Sequence, residues 1–328
     1  MERMSLESRA ADGHRALLAL REQSISDVIK DRLLYMSDLC ELFIDSSMVV
    51  DVFQTFGNNN YLSLPVFSID AQTGSKVYKG VVDVVDLMLY LLSQPALRDV
   101  DPEESEDSLA GRMLAKGNSI LQQPASVLLA TCAHDLEKHH VYESTDSLNV
   151  LLDSFSSGSH RTLVRFEVMG HDFVRMVTQT DVLRYLQTQV AGLLESAVAG
   201  DVMSSDLKTV LLSQTALEGF KLMQSKSIRA LPVVDTGGLL VGTLSASQLR
   251  KLTYRTLALL HLPVEKFLKR VPYSEPPSCD PSTSLNNVAM SLLSSRSHRV
   301  WVCDADRRPV GVVSISDIIQ YVRKLLGS

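Results

Sequence analysis

The stretch Gly311-Val-Val-Ser-Ile-Ser-Asp317 recurs, with variations, at three other places in this chain of 328 residues. Its counterparts are Gly80-Val-Val-Asp-Val-Val-Asp86, Arg175-Met-Val-Thr-Gln-Thr-Asp181 and Gly242-Thr-Leu-Ser-Ala-Ser-Gln248. Each stretch begins as an apolar strand and runs directly into an amphipathic helix. In chain order, the last residues of the four stretches are separated by 95, 67 and 69 positions. A fixed structural unit used four times is therefore predicted.

A second helix is predicted upstream of each stretch, because apolar residues there follow the spacing i, i+3, i+4, i+7. The helices begin near Val49, Leu148, Ala216 and Leu285. Thr215 and Glu218 have the spacing of a capping box at the start of the third. Two short strands fit between the helices, the first of them at 62–67, 162–166, 230–234 and 300–302. The repeat is thus predicted to be helix–strand–strand–helix, an α/β unit.

Composition narrows the class of protein. Hydrophobic residues make up 45% and charged residues 21%, which is typical of a globular chain, and the net charge of −6 disfavours a nucleic-acid partner. No apolar run is long enough to span a bilayer, so no membrane partner is expected. Four scattered cysteines favour free thiols in a reducing compartment. We expect a protein of the cytoplasm, with the nucleus as a second compartment.

The repeat resembles the cystathionine-β-synthase (CBS) motif, and four in tandem resemble the γ regulatory subunit of the AMP-activated protein kinase family. The resemblance implies two Bateman modules packed as a pseudo-symmetric disc: residues 24–190 with repeats one and two, and residues 198–326 with repeats three and four. An N-terminal arm, 1–23, precedes them, and an acidic connector, 99–107, lengthens the first module. The family members are non-catalytic subunits that bind AMP, ADP or ATP between paired motifs. Their partners are a kinase catalytic subunit and a β-type scaffold, which adds a strand near 42–44.

An aspartate ends three of the four stretches, at Asp86, Asp181 and Asp317. A carboxylate at the start of a helix accepts hydrogen bonds from both hydroxyls of a ribose. Helix capping alone also explains an aspartate there. Because three occur in register, we favour ribose binding.

Phosphate-binding candidates lie on both sides of the two strands. In the γ family a His-Arg pair contacts the phosphates, and this chain has His160-Arg161 and His298-Arg299, with Ile228-Arg229 at the same place in repeat three. Arginine suits this role because its planar fork makes charge-assisted bonds to phosphate. Hydroxyls in the repeated stretches are further phosphate or ribose ligands: Thr178, Thr180, Ser245, Ser247, Ser314 and Ser316.

Repeats one and three depart from this pattern. Repeat one has Leu62 where the family carries an arginine, and Asp83 in place of a hydroxyl, which puts negative charge beside any phosphate. Repeat three has Gln248 in place of the ribose aspartate. Repeat four matches best, and we predict its cleft to bind nucleotide.

An enzymatic function is disfavoured, because the common phosphate-loop, metalloprotease and hydrolase motifs are absent from the sequence. No catalytic residue and no metal site is therefore expected. Two alternatives to a kinase subunit stay open: a stand-alone CBS protein that regulates another enzyme or transporter, and a γ-like scaffold that does not sense AMP.

Overall fold

Four small sheets organise the protein. The computed structural model describes residues 15–30, 39–98, 106–131, 140–253, 256–271 and 275–327. Each sheet has three strands, in which a short first strand pairs in parallel with the second, and the second pairs antiparallel with the third. The strands are β1 Leu42–Phe43, β2 Ser63–Ile69, β3 Lys76–Asp83, β4 Val141–Glu143, β5 Arg161–Val168, β6 His171–Thr178, β7 Val210–Leu211, β8 Ala230–Val234, β9 Leu240–Ser245, β10 Ser278–Cys279, β11 Arg299–Cys303 and β12 Pro309–Ser314.

Helices precede and follow each hairpin, as the apolar spacing predicts. They are α1 over 15–21, α2 Ile25–Ile29, α3 Val49–Asn59, α4 Val84–Ser93, α5 Pro95–Arg98, α6 Glu106–Leu121, α7 Ser126–Thr131, α8 Leu148–Ser156, α9 Gln179–Gln189, α10 Ala191–Ser196, α11 Ala199–Val202, α12 Ala216–Ser225, α13 Val264–Arg270, α14 Leu285–Ser295 and α15 Ile315–Gly327. Repeat three closes with a 3-10 helix, Ala246–Lys251, instead of an α-helix. The α/β repeat is confirmed in all four copies, with one short strand added in front.

The predicted apolar stripes are buried. Val49, Leu148, Ala216 and Leu285 begin α3, α8, α12 and α14 and are inaccessible to solvent. The capping box at the start of α12 is also confirmed, because the backbone N–H of Thr215 donates to Glu218 Oε2 at 2.7 Å.

The chain folds into two compact units, each with its own core. One, the odd unit, contains repeats one and three, within Cys40–His139 and Lys208–Glu275. The other, the even unit, contains repeats two and four, within Met1–Leu39, His140–Leu207 and Pro276–Ser328.

The two units group alternate repeats because of where the apolar helix faces are buried: α15 packs against α8 and α9 of repeat two, and α4 packs against the 3-10 helix of repeat three. The predicted module boundary between 190 and 198 is a separate division of the chain. The pairing of consecutive repeats into modules, and their packing as a disc, stay predictions.

The N-terminal segment and the region of the connector contribute helices to the two cores. Leu20 and Ile25 are buried in the core of the even unit, so the described part of the arm and α2 pack with repeats two and four. The insertion between the first two repeated stretches is largely helical. Its helices α6 and α7 pack on repeat one through Ile120 and Leu128. The acidic residues 99–105 lie outside the described residues.

Candidate functional site

The junction between hairpin and closing helix has the same hydrogen bond in all four repeats. The backbone N–H of the first helical residue donates to the carbonyl of the residue before the first hairpin strand. The four bonds are Val84 to Leu62 at 3.1 Å, Gln179 to His160 at 3.0 Å, Ala246 to Arg229 at 3.0 Å and Ile315 to His298 at 3.2 Å. These bonds fix which residues of the four repeats are equivalent.

That equivalence corrects the register predicted for repeats one and three. Leu62 occupies the position of the histidine, not that of the arginine. Arg229 occupies the position of His160 and His298, not the position of the arginine that follows each of them. The residues opposite the helix N-caps are Arg161 in repeat two and Arg299 in repeat four, but Ser63 in repeat one and Ala230 in repeat three. A sequence comparison without the hairpin register cannot detect this shift of one residue.

The three candidate ribose aspartates all act in capping boxes. One carboxylate oxygen of each accepts the backbone N–H of the N-cap residue: Asp86 from Asp83 at 2.6 Å, Asp181 from Thr178 at 3.0 Å and Asp317 from Ser314 at 2.7 Å. Gln248 does the same for Ser245 at 2.9 Å. The capping explanation is therefore correct for one oxygen of each aspartate, and ribose binding depends on the other.

Asp317 is the aspartate best placed to accept a ribose. Its Oδ2 is engaged by the N–H and hydroxyl of Ser314, both at 2.7 Å, while its Oδ1 accepts no hydrogen bond from the described residues. In repeat two the equivalent Oδ1 of Asp181 faces Arg184 at 3.5 Å, and the side chain of Asp181 is almost buried. Because a carboxylate oxygen accepts more than one hydrogen bond, the half-buried Asp317 retains acceptor capacity.

A buried amide that sequence reasoning missed joins the junctions of repeats two and four. Gln179, 4% exposed, is the first residue of α9. Its Oε1 accepts from Nδ1 of His160 at 3.0 Å, and its Nε2 donates to the carbonyl of Ser159 and to Oγ of Ser316, both at 3.0 Å. Since a carbonyl oxygen only accepts, Nδ1 of His160 is the donor in this contact. The imidazole of repeat two and the hydroxyl of repeat four are thus two hydrogen bonds apart.

The sequence did contain a signal for Gln179. The other repeats have Val84, Ala246 and Ile315 at this position, all buried and apolar. A polar residue in a slot that is otherwise apolar requires buried partners.

The basic side chains of the even unit lie beside its hydroxyls. Arg161 is directly opposite Thr178 across the hairpin, and Arg299 is directly opposite Ser314. Opposite residues of neighbouring strands project from the same face of the sheet. Thr180 and Ser316 follow as the second residues of α9 and α15, and both are half-buried. The even unit therefore gathers arginine, histidine and hydroxyl groups, which is chemistry suited to an anion.

The junctions of the odd unit have a different charge arrangement. Arg229 of repeat three donates through Nη1 to Oδ2 of Asp83 in repeat one, at 3.0 Å. Ser245 and Ser247 contact each other through their hydroxyls at 3.0 Å. The predicted phosphate ligand Arg229 is thus already opposed by a carboxylate.

No group of three or more metal-ligating side chains occurs among the residues that the structure describes. Within the same residues, no helix is both long and apolar enough to cross a bilayer.

Comparison with known proteins bears on the four junctions. The family model described as CBS domain matches residues 199–254 and 268–324, which contain repeats three and four. Residues 199–254 and 268–324 are therefore two CBS motifs.

Similar sequences cover most of the chain. The "SNF1-related protein kinase regulatory subunit gamma-like PV42b" of Arabidopsis thaliana is 24% identical over 305 residues, 80% of each chain. The "Protein SDS23" of Candida albicans is 21% identical over 83% of this chain, which spans only 48% of that protein.

The fold is shared with an archaeal protein. Protein MJ1225 from Methanocaldococcus jannaschii, described as a candidate archaeal homologue of γ-AMPK, superposes with a TM-score of 0.63 at 14% identity. That match covers 87% of this chain and 96% of the other. The prediction of a CBS-motif α/β fold resembling γ subunits is confirmed.

Proposed function

We propose that this chain is a non-catalytic regulatory subunit, γ-like, that binds AMP, ADP or ATP through the junctions of its even unit. The observation that carries the proposal is the Gln179 network, which brings His160 and Ser316 of different repeats together. In this proposal Asp317 accepts ribose hydroxyls. The phosphates are taken by Arg161, Arg299, His160 and His298.

The same proposal includes a kinase complex. The relatives whose names specify a γ-like regulatory subunit of an SNF1-related protein kinase support a kinase catalytic subunit and a β-type scaffold as partners. Strand β1 ends the sheet order β1-β2-β3, so its outer edge has no strand paired to it in the described sheet. Such an edge accepts an added strand through main-chain hydrogen bonds.

The decisive experiment measures nucleotide affinity by calorimetry in the Arg299→Ala variant. Loss of one charged phosphate contact costs about 1.5–3 kcal/mol, and therefore at least about tenfold in affinity for AMP or ATP. Arg296→Ala is the matched control, because Arg296 lies three residues earlier on an exposed helix end. Unchanged affinity in a folded Arg299→Ala variant would refute the assignment.

A second candidate function is a γ-like scaffold that does not sense nucleotides. The ion pair between Asp83 and Arg229 favours it for the odd unit. A wild-type chain that co-purifies with a kinase and binds no AMP, ADP or ATP would establish this alternative. A chain that binds nucleotide and purifies from its source without a kinase would instead support a stand-alone CBS sensor.

A further inference from the structure

The carboxylate of Asp83 forms an ion pair with the guanidinium of Arg229, which lies 146 positions later in the sequence. The two side chains are 14% and 31% exposed, so the pair is largely shielded from solvent. The other carboxylate oxygen, Oδ1, accepts the backbone N–H of Val85 at 2.7 Å, which fixes the carboxylate at the start of α4. Both oxygens of Asp83 are therefore committed to neighbours on the same unit.

Among the four N-caps of the closing helices, Asp83 is the acidic one. The equivalent residues are Thr178, Ser245 and Ser314, all with hydroxyls. Arg229 in turn stands where repeats two and four have His160 and His298. The odd unit thus has a carboxylate from repeat one and a permanently charged guanidinium from repeat three. Repeats two and four have a neutral hydroxyl and an imidazole at the corresponding positions.

We propose that Asp83 is an internal counterion that excludes anionic ligands from the odd unit by occupying Arg229. A phosphate that approached Arg229 would have to displace a carboxylate that is anchored by helix capping, and would be repelled by its charge. The proposal rests on the proposed function, in that it restricts nucleotide binding to the even unit. The excluded chemical class is any phosphate ester, with AMP and inorganic pyrophosphate as probes.

The test removes the carboxylate and keeps the cap. Asp83→Ser introduces the N-cap residue of repeats three and four, and Asp83→Asn preserves size and capping without charge. Each variant is titrated with AMP and with pyrophosphate by calorimetry on the full chain, after circular dichroism has confirmed folding. We expect either variant to bind one more anion per chain than the wild type, or to bind pyrophosphate at least tenfold more tightly. Adding Arg229→Ala to either variant should abolish the gain.

The outcomes separate this proposal from the proposed function. If the wild type binds nucleotide in a manner sensitive to Arg299→Ala, but neither Asp83 variant gains a site, the exclusion role is wrong and the proposed function stands. If the wild type binds no nucleotide and an Asp83 variant gains Arg229-dependent binding, the exclusion role stands and the proposed function is wrong. If no chain binds either probe, both are refuted. A gain that survives Arg229→Ala also overturns the counterion proposal.

Discussion

Replacing Gln179 with methionine should weaken the even unit more than its small change in shape suggests. Methionine is unbranched and similar in length, so it fills the slot without a cavity but cannot hydrogen-bond as the amide does. The substitution removes the bonds to Phe155, Ser159, His160 and Ser316. It leaves their polar groups without this partner in a site where Gln179 is 4% exposed.

The magnitude follows from the bonds to these four residues. A hydrogen bond contributes about 1 kcal/mol net, and a partner left unsatisfied in the interior costs about 1–3 kcal/mol. Because His160 and Ser316 are only half-buried, water recovers part of this cost. We expect the free energy of unfolding to fall by about 2–4 kcal/mol.

Urea unfolding, followed by tryptophan fluorescence, measures the change in the free energy of unfolding of the even unit. The chain has one tryptophan, Trp301, which is buried on β11 of the even unit. Ile315→Met is the matched control, since it places methionine in the equivalent slot of repeat four and exchanges one apolar side chain for another, at a cost below about 1.5 kcal/mol. A loss of less than about 0.5 kcal/mol in Gln179→Met, as at an ordinary surface position, would show that the network does not hold the two junctions together.

Three further predictions use other parts of the chain. Phe43→Pro should abolish binding of a β-type scaffold in a pull-down but preserve nucleotide affinity, because proline has no backbone N–H to donate. Phe43→Ala is the control: it also loses the ring stacked on Phe67 but keeps the backbone N–H, so it should retain scaffold binding. Loss of both activities in Phe43→Pro would indicate unfolding. Burial raises the pKa of the Cys279 thiol to about 11 and also raises the pKa of Cys303, so the reactive thiolate is scarce at pH 8. Alkylation of both should therefore be slow in the native chain and accelerate as pH rises or when urea unfolds it, and equal rates in the two states would contradict this. A fragment of residues 198–326 contains one repeat from each core, so it should self-associate in analytical ultracentrifugation, and a stable folded monomer would contradict the interleaved cores.

The sequence was most informative about structure within a repeat. Periodicity placed Val49, Leu148 and Leu285 on buried helix faces, because burial of one stripe is a local property of the helix. The capping spacing of Thr215 and Glu218 was equally local. Spacing therefore predicted the two hairpin strands and the flanking helices of all four copies, and the capping box of repeat three.

Long-range relations were not predictable in the same way. The apolar face of α15 shows that the helix packs, but not that its neighbours are α8 and α9. The register of Arg229 depends on the hydrogen bonds of the hairpin, and its ion pair depends on the position of repeat one. The role of Gln179 depends on its contact with Ser316, which lies 137 positions away in the sequence, and spacing within repeat two does not specify such a contact.

The repeats of the odd and even units alternate along the chain, and this order has a consequence for the synthesis of the protein. When the ribosome has made repeats one and two, the helices that complete each core are still untranslated, since the odd unit extends to Glu275 and the even unit to the end of the chain. Counted from Val190, the odd unit extends 85 residues further and the even unit 138 residues further. The apolar faces of α3, α4, α8 and α9 must then remain uncovered while these residues are made, which at about 5–20 residues per second is several seconds or more. The nascent chain should therefore depend on chaperones that shield apolar surface, and slowing translation between repeats two and three should lower the yield of folded protein.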